Sequence, residues 1–333
     1  MTIRLAINGF GRIGRNVLRS IIEHDRKDIE IVAINDLGPV ETNAHLLEFD
    51  SVHGRFPGGI RVDGNTIDAG RGPISVTAVS EPQDLPWKGI DVVLECTGVF
   101  TARDKAAWHL EAGAGRVLVS APSAGADRTV VFGVNEHALT PQDRVISNAS
   151  CTTNCLAPLA KALNDSVGIT RGFMTTIHSY TGDQPTLDTM HKDLYRGRAA
   201  ALNSIPTTTG AARAVGLVLP ELDGRLDGTA IRVPTPNVSC VDLTFEAARP
   251  TTVEEINTAV SDAAAGALGR VLDVDGRALV SSDFNHNPAS SIFAPDQTRV
   301  MDGTMCRVLA WYDNEWGFSC RMVDVAAEMG ALS

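Results

Sequence analysis

Short apolar runs alternate with amphipathic stretches of helical spacing through the first half of the chain. This alternation predicts strand and helix in turn, and such an order favours a parallel sheet with right-handed crossovers. The segment 42–79 has only short alternating runs around Gly58 and Gly59 and predicts loops with small inserted strands. The other predicted elements are strands at 3–7, 30–34, 91–96, 116–120 and 145–148, with helices at 15–23 and about 103–112.

Beyond residue 150 the pattern changes to frequent β-rich runs with few helices. This composition predicts a mostly antiparallel or mixed sheet covered on one face. A chain of 333 residues is also too long for one ordinary core, so two domains are expected. We predict a first domain of residues 1–150, joined by a C-terminal helix at 315–333, and a second domain of residues 151–314. The predicted elements of the second are strands at 172–178, 228–233, 238–247, 279–283, 298–300 and 306–312, and a helix at 253–268.

A GxGxxG motif lies between the first strand and the first helix. Gly9 and Gly11 allow a tight turn and close approach of a pyrophosphate, and Gly14 allows the helix to pack on the strand. The second strand ends near Asp36, whose carboxylate would accept hydrogen bonds from the adenosine ribose hydroxyls and repel a 2′-phosphate. This context predicts a dinucleotide-binding domain of the Rossmann type. The fold class is therefore α/β, a doubly wound parallel sheet plus an α+β domain.

Three more residues follow strand ends in the same domain. Thr97, Gly98 and Ser120 lie at the carboxyl ends of predicted strands, where open α/β sheets bind their ligands. Each of them is also an ordinary turn residue. The full set predicted to bind the nucleotide here is Gly9, Phe10, Gly11, Arg12, Ile13, Gly14, Asp36, Thr97, Gly98 and Ser120.

Cys151 lies where the last strand of the first domain gives way to a helix. A thiol at a helix N-terminus faces unpaired N–H groups and the positive end of the helix dipole, and both favour the thiolate. The alternative is that Cys151 and Cys155 are small apolar residues packed beneath the helix. A reactive cysteine needs a base, and His178 ends an apolar run from which it could reach a helix N-terminus.

Several stretches of the second half are rich in residue types that bind anions. Threonine hydroxyls and backbone N–H groups precede a helix at 207–211, and Arg196 and Arg198 supply guanidinium groups suited to phosphate. Arg232 lies within an apolar run, so it is expected to have a buried or ligand anion as partner.

Composition limits the function further. The apolar fraction of 44% and charged fraction of 21% are typical of a soluble globular protein, and the net charge of −11 argues against nucleic-acid binding. Six cysteines without a CxxC pair predict neither a zinc site nor disulfides, so no metal is expected and a reducing cytoplasm fits. The chain shows neither a signal peptide nor an apolar run of about 18 residues, so no membrane partner is expected.

The motifs together resemble those of the phosphorylating glyceraldehyde-3-phosphate dehydrogenases. They appear in family order over nearly the whole length, as NGFGRIGR (8–15), ASCTTNC (149–155), HSYTGDQ (178–184), PTTTGAA (206–212), RVPTPN (232–237) and WYDNEWG (311–317). The resemblance implies NAD-linked oxidation of glyceraldehyde 3-phosphate to 1,3-bisphosphoglycerate, through a cysteine hemithioacetal and a thioester. It also implies a homotetramer, with an S-loop from about residue 179 to 202 near the cofactor and the subunit contacts.

The resemblance also implies a role for individual residues. Cys151 resembles the nucleophile and His178 its base. Asn314 resembles the residue that holds the nicotinamide amide. Thr181 and Arg232 resemble the site for the C3 phosphate of the substrate, and Arg196 lies close to both phosphates. The residues that resemble the inorganic-phosphate site of the family are Ser150, Thr152, Thr209 and Gly210.

Alternatives remain open. Thr189 and Met190 match neither the pair typical of NAD-dependent members nor that of chloroplast NADP-dependent members, so some NADP use is left open. The run 282–288 resembles erythrose-4-phosphate dehydrogenase, although the retained Thr181, Thr209 and Gly210 favour glyceraldehyde 3-phosphate. Outside this family, a cofactor-independent cysteine hydrolase would not need the GxGxxG motif, and an NAD-binding regulator would not need the cysteine and histidine.

Overall fold

The computed structural model describes residues 2–332, which form two compact units. The first comprises the described residues up to Val130, then residues 136–149 and those from Ser319 onward. The second comprises Val131–Asn135 and Ser150–Phe318. The predicted boundary between 150 and 151 therefore lies one residue from the boundary between the two units. The sequence pattern did not indicate that residues 131–135, which precede this boundary, belong to the second unit. Met1 and Ser333, which end the predicted domain ranges, lie outside the described residues.

The first unit is built on a nine-stranded sheet in the order β3-β4-β5-β2-β1-β6-β7-β9-β8. Its central strands are parallel, and only the β3–β4 and β4–β5 pairs are antiparallel. The strands are β1 Ile3–Asn8, β2 Ile29–Asn35, β3 Arg61–Asp63, β4 Thr66–Asp68, β5 Pro73–Thr77, β6 Val92–Glu95, β7 Arg116–Val119, β8 Arg128–Thr129 and β9 Val145–Ser147. The helices are α1 Arg12–Glu23, α2 Val40–Glu48, α3 Arg103–Ala106 and α4 Trp108–Glu111.

The core of this unit explains the sequence pattern. The β1 side chains of Leu5, Ala6 and Ile7 are fully buried, as expected for a central parallel strand covered on both faces. Two details differ from the sequence prediction. The segment 42–79 contains most of α2, and α1 begins at Arg12 rather than at residue 15 because the turn of the GxGxxG motif leads directly into it.

The second unit has an eight-stranded mixed sheet. Its main path is β11-β12-β10-β13-β17-β15-β14, with β16 paired to β17. The β10–β12 and β14–β15 pairs are parallel and the other pairs antiparallel. The strands are β10 Ile169–Ser179, β11 Ile205–Thr208, β12 Leu226–Val233, β13 Ser239–Ala247, β14 Leu272–Val274, β15 Ser291–Phe293, β16 Arg299–Met301 and β17 Met305–Tyr312. The helices are α5 Cys151–Ser166, α6 Ala211–Val218 and α7 Val253–Ala265, and α8 spans Trp316–Ala331.

Helix α5 packs on this sheet against β10, β15 and β17, and α6 and α7 flank it. The mixed sheet with helices on it agrees with the prediction. The predicted strand at 279–283 is wrong, since Ser281–Phe284 forms a 3₁₀ turn whose Asp283 carboxylate accepts from the Val280 N–H. The short strands β11, β14 and β15 were not predicted because runs of three or four residues give too little alternation to detect.

The final part of α8 belongs to the first unit. The Arg26 guanidinium donates to the Asp324 carboxylate at 2.8 Å, and the Arg116 guanidinium donates to the Leu332 carbonyl oxygen at 3.2 Å. These contacts explain why residues from Ser319 onward belong to the nucleotide-binding unit although they follow the second one in sequence.

Candidate active site

Helix α5 begins at Cys151, and local hydrogen bonds fix its first turn. Ser150 has extended backbone angles and is the N-cap, because its Oγ accepts from the Thr153 N–H at 3.1 Å. The Asn154 side-chain amide donates to the Ser150 carbonyl oxygen at 3.0 Å. Cys151 is therefore the first residue of the helix and remains half-buried, with part of its surface open to solvent.

His178 lies near the end of β10 and meets this cysteine. The distance from His178 Nε2 to Cys151 Sγ is 3.5 Å. His178 Nδ1 lies 2.7 Å from the Ser179 carbonyl oxygen, which can only accept, and 2.9 Å from Arg232 Nη1, which can only donate. The two Nη1 hydrogens have acceptors in the Ser179 carbonyl oxygen and Thr181 Oγ1, so we assign the ring hydrogen of His178 to Nδ1. Nε2 then presents its lone pair to the thiol. The structure thus brings together the two residues that the sequence proposed as partners, with the histidine in the tautomer of a base.

Burial sets the charge of this pair. Burial and the neighbouring Arg232 guanidinium lower the pKa of His178 to about 3. Burial also raises the pKa of the Cys151 thiol, against the lowering influence of Arg232 and of the Thr152 hydroxyl and N–H. Burial thus favours the uncharged forms of both groups when no ligand is bound. Desolvation therefore opposes the thiolate that the position at the helix N-terminus favours.

Tyr312 supports both residues from β17. Its ring meets the His178 ring edge-on at a centroid distance of 6.0 Å. Its buried hydroxyl lies 2.8 Å from Thr152 Oγ1 and 2.9 Å from Thr176 Oγ1, so it joins the first turn of α5 to β10. The sequence predicts a strand at Tyr312 but no role for it, since nothing in the linear pattern shows that its ring meets His178.

Arg232 faces His178 across the parallel β10–β12 pair, in which the two residues are in register. Its Nη1 lies 2.9 Å from the Ser179 carbonyl oxygen and 3.2 Å from Thr181 Oγ1, and both atoms accept. Among residues 2–332 no carboxylate forms an ion pair with Arg232. The expected anion partner is therefore not supplied by the chain itself, and the guanidinium charge acts on the imidazole instead.

Asp183 was not singled out from the sequence, yet it lies at the centre of the predicted phosphate-binding residues. It accepts a hydrogen bond from the Thr181 hydroxyl and forms an ion pair with Arg196. Burial acts to raise its pKa, but Thr181, Arg196 and Arg232 hold the pKa of this carboxyl below its usual range. Arg198 points elsewhere and pairs with Asp188 at 2.7 Å.

The starts of α5 and α6 lie side by side. Thr153 Oγ1 donates to the Ala211 carbonyl oxygen at 3.2 Å, and Thr209 Oγ1 accepts from the Ala211 N–H at 3.2 Å. Gly210 is the N-cap of α6 and makes no side-chain cap. The hydroxyls of Ser150 and Thr209 and the N–H groups of two helix starts thus lie in one region. The predicted Thr152 hydroxyl is buried and already bonded to Tyr312.

Asn314 is fixed by its oxygen. Its Oδ1 accepts from Ser179 Oγ and from Ser239 Oγ, each at 2.8 Å. The side-chain amide nitrogen is therefore the group left to donate to a ligand. Ser179 and Ser239 have this positioning role only because β10 and β13 are neighbours, which the sequence could not show.

The first unit carries a pocket at the carboxyl ends of its central strands. The pocket is lined by Asn8, Gly9, Gly11, Asn35, Asp36, Leu37, Val79, Ser80, Cys96, Thr97, Val99 and Phe100. A Cβ at Gly14 would stand 2.2 Å from the Gly9 carbonyl oxygen, so helix and turn pack too closely for any side chain. The space around Gly11 is open, and the N-cap of α1 makes no side-chain hydrogen bond. The helix start can therefore receive a pyrophosphate, as the motif predicted.

Comparison with known proteins identifies the family of the chain. Residues 3–103 match the family described as glyceraldehyde 3-phosphate dehydrogenase, NAD binding domain, and residues 150–314 match its C-terminal domain. The chain belongs to the glyceraldehyde-3-phosphate dehydrogenase family. It is 70% identical over 332 residues to the glyceraldehyde-3-phosphate dehydrogenase of Cereibacter sphaeroides, and 70% identical over 334 residues to that of Xanthobacter flavus, with 100% of each chain covered. The enzyme of that name from Geobacillus stearothermophilus is 54% identical over 330 residues, with 98% of each chain covered.

Membership of the glyceraldehyde-3-phosphate dehydrogenase family confirms the resemblance and the two-part α/β fold predicted from the motifs. The chain is an NAD-dependent dehydrogenase, as expected from GxGxxG and Asp36. Across residues 2–332, no helix is long and apolar enough to cross a membrane. The same residues contain no group of three His, Cys, Asp or Glu side chains arranged to hold a metal ion.

The other predicted nucleotide-binding residues of this family member occupy several environments. The Phe10 side chain is buried, and its N–H donates to Asp36 Oδ2 at 2.9 Å, which holds the acid beside the glycine turn. Arg12 forms an ion pair with Asp50. Ile13 lies in the first turn of α1. Gly98 has φ +73°, and Ser120 follows β7, where its hydroxyl contacts the Cys96 thiol.

A buried network beneath this pocket escaped the sequence analysis. Glu95 Oε2 accepts from Asn8 Nδ2 at 2.6 Å, and Glu95 Oε1 accepts from the Thr97 N–H at 2.8 Å and from its hydroxyl. The Trp87 indole N–H donates to His109 Nδ1 at 2.8 Å, so the ring hydrogen of His109 is on Nε2, which donates to Glu95 Oε2 at 2.9 Å. This Glu95 network, comprising Asn8, Trp87, Glu95, Thr97 and His109, fixes the Thr97 turn.

Proposed function

We propose that the chain oxidises D-glyceraldehyde 3-phosphate and phosphorylates the product to 1,3-bisphosphoglycerate, with reduction of NAD. The observation that carries the proposal is the 3.5 Å approach of Cys151 Sγ to His178 Nε2, with the imidazole in the tautomer that can take a proton. A cysteine suits this chemistry because it is a strong nucleophile and later a good leaving group.

His178 and Cys151 have distinct tasks in this proposal. His178 Nε2 takes the thiol proton as Sγ adds to the aldehyde carbon, and it gives that proton to the new alkoxide oxygen, which completes the hemithioacetal. It then takes the hydroxyl proton as hydride leaves that carbon, which gives a thioester on Cys151. Bound NAD supplies the hydride acceptor. A phosphate oxygen finally attacks the thioester carbonyl, the acyl phosphate leaves, and Sγ takes the proton held by His178 and returns to the thiol state.

The predicted binding residues support this sequence of steps as part of the proposal. Thr181 and Arg232 bind the C3 phosphate, with Arg196 close by. Ser150, Thr152, Thr209 and Gly210 bind the attacking inorganic phosphate, and the adjacent starts of α5 and α6 favour an anion there. Gly9, Phe10, Gly11, Arg12, Ile13, Gly14, Asp36, Thr97, Gly98 and Ser120 hold the dinucleotide, and Asn314 holds the nicotinamide amide.

The assembly and location are also proposed. Large apolar side chains are exposed along the S-loop at Leu187, Met190, Leu194 and Leu202, which supports a homotetramer in which this loop is covered. A cytoplasmic location fits the six free cysteines. We retain the assignment of residues 1–150 with 315–333 to NAD binding and of 151–314 to catalysis.

The test is the phosphate dependence of NADH formation from glyceraldehyde 3-phosphate. Turnover that requires phosphate or arsenate is the expected result. Thioester hydrolysis without NAD would support a cysteine hydrolase instead, and tight NAD binding without turnover would support a regulator. Erythrose 4-phosphate as the better substrate would overturn the substrate assignment. A parallel series with NADP measures how much NADP-dependent turnover a chain with Thr189 and Met190 supports. We expect a higher turnover with NAD, because the Asp36 carboxylate would repel the 2′-phosphate of NADP.

A further inference from the structure

The carboxylate of Asp183 occupies the region that the proposed function assigns to the C3 phosphate. Two of the proposed phosphate ligands are bonded to it, since Thr181 donates its hydroxyl hydrogen to Asp183 and Arg196 forms an ion pair with it. The third, Arg232, contacts Thr181 at 3.2 Å from the other side. A negative charge of the chain itself thus lies among groups that are suited to an anion from outside.

Thr181 cannot donate to the Asp183 carboxylate and to a phosphate at the same time. A threonine hydroxyl has one hydrogen to donate. In the structure, the Thr181 hydroxyl gives its hydrogen to Asp183 while its oxygen accepts from Arg232 Nη1. Thr181 can therefore donate to a phosphate oxygen only after its bond to Asp183 breaks. Arg196 Nη2 has two hydrogens, and the one directed at Asp183 becomes available to a phosphate only when that pair breaks.

The cluster also holds donors that the carboxylate does not use. Arg196 Nε, Arg232 Nε and Gln184 Nε2 are buried and have no hydrogen-bond partner within the described residues. The Gln184 side chain is 8% exposed, and its Oε1 lies 3.4 Å from the Thr181 N–H, which orients the amide. Buried donors without partners are costly, and a dianionic phosphate with four oxygens could satisfy more of them than one carboxylate does.

We propose that Asp183 is an internal competitor for the C3-phosphate subsite, bound to Thr181 and Arg196 in the ligand-free enzyme and displaced by the phosphate of the substrate. This inference rests on the proposed function of that subsite. Only molecules in which Asp183 has left Thr181 and Arg196 can bind the phosphate. The apparent affinity for the substrate therefore equals the intrinsic affinity multiplied by the fraction of such molecules. An aldehyde without a phosphate has nothing to exchange for Asp183, so the device favours phosphorylated substrates.

The experiment compares wild type with Asp183→Asn, using sn-glycerol 3-phosphate as a non-reactive probe. Its inhibition constant is measured by competition with glyceraldehyde 3-phosphate, and its Kd by calorimetry. The introduced amide lacks the charge that holds Arg196, so we expect the probe to bind about fivefold tighter or more. The change in kcat/KM for unphosphorylated glyceraldehyde should be smaller than the gain in probe affinity, because that substrate has no phosphate to displace the carboxylate.

Two controls separate competition from a general change in charge. Asp188→Asn removes the same charge from the same loop. Asp188 pairs with Arg198 and accepts from the Ala199 N–H, and neither partner contacts Asp183, so probe affinity should stay unchanged. In a cycle with Thr181→Val, the gain from Asp183→Asn should shrink, because the contested hydroxyl is gone.

Weaker probe binding in Asp183→Asn would show that the carboxylate only orients Arg196, and would overturn the inference. An equal gain in Asp188→Asn, or the same gain with and without Thr181, would also overturn it. The proposed function fails separately, if wild type forms no phosphate-dependent NADH.

Discussion

His109 of the first unit and His178 of the second are both buried, at 0% and 4% exposure, yet they carry opposite tautomers. The Trp87 indole donates to His109 Nδ1, so its Nε2–H is spent on the Glu95 carboxylate. The Ser179 carbonyl oxygen accepts from His178 Nδ1, so Nε2 of His178 keeps a lone pair that faces the Cys151 thiol. One neighbouring atom on each ring decides whether the histidine holds a structure together or can accept a proton.

The two carboxylates near these histidines differ in the same way. Glu95 is 1% exposed and accepts only from neutral donors, none of which is shared with another acceptor nearby. The Asp183 side chain is 53% exposed, and its partner Thr181 is also in contact with Arg232. A saturated network fixes the geometry beside the nucleotide pocket, whereas a contested network can rearrange when a ligand arrives.

The largest predicted effect comes from removing the nucleophile. Cys151→Ser should lower phosphate-dependent turnover by on the order of 10⁴-fold or more, because the serine hydroxyl is far less ionised and a poorer leaving group. Steady-state kinetics measures the loss. NAD affinity, measured by calorimetry, should stay near that of wild type. A variant that kept more than a hundredth of the activity would contradict the assignment of Cys151.

The two histidines provide a matched pair for the next prediction. His178→Asn should lower kcat by about 10²–10⁴-fold, since proton transfer then lacks its base. His109→Asn removes the bonds to Trp87 and Glu95 but touches no reacting group, so its kcat at saturating NAD should fall by less than about tenfold. Stopped-flow measurement of the first turnover would compare them. Similar losses in both variants would remove the functional distinction between the tautomers.

Glu95→Gln tests the saturated network directly. Both oxygens of Glu95 accept hydrogen bonds, so the NH₂ group of a glutamine would face donors of Asn8 and His109 or of Thr97. Those buried donors would lose their acceptor, and stability should fall by about 1–3 kcal/mol. Because Glu95 fixes the Thr97 turn, the Kd for NAD should rise by about tenfold while kcat at saturation changes little. Denaturant unfolding and NAD titration measure the two effects. A stable variant with unchanged NAD affinity would show that the network is dispensable.

The smallest predicted effect is the pH dependence of stability caused by His178. Its pKa is lowered from 6.5 to about 3 by burial and by Arg232, so the unfolded chain binds a proton there that the folded chain does not. The stability that the neutral imidazole contributes is fully present above pH 6.5 and is lost as the pH falls toward 3. The free energy of unfolding should fall by about 2 kcal/mol between pH 7 and pH 5 for this reason. Urea unfolding at both pH values should show a smaller drop in His178→Asn than in wild type. An equal drop would indicate that the imidazole is protonated in the folded protein.

Much of this protein was determined by local sequence. The glycines of the GxGxxG turn, the acid after the second strand and the cysteine at a helix start each predict their own structure, because turn geometry, helix capping and strand patterning depend on near neighbours. The fold class and the pairing of Cys151 with His178 followed from these patterns together with the family motifs.

Only the tertiary structure decided which groups would meet across strands and what charge they would carry. The sequence suggested a thiolate at the helix start, and the fold adds both the desolvation that opposes it and the Arg232 guanidinium that favours it. Asp183, Tyr312 and the Glu95 network are ordinary residues in the linear pattern, and their roles arise from partners on neighbouring strands, loops or helices. Desolvation and hydrogen-bond competition depend on every group packed around a site, and the chain reveals those neighbours only when it is folded.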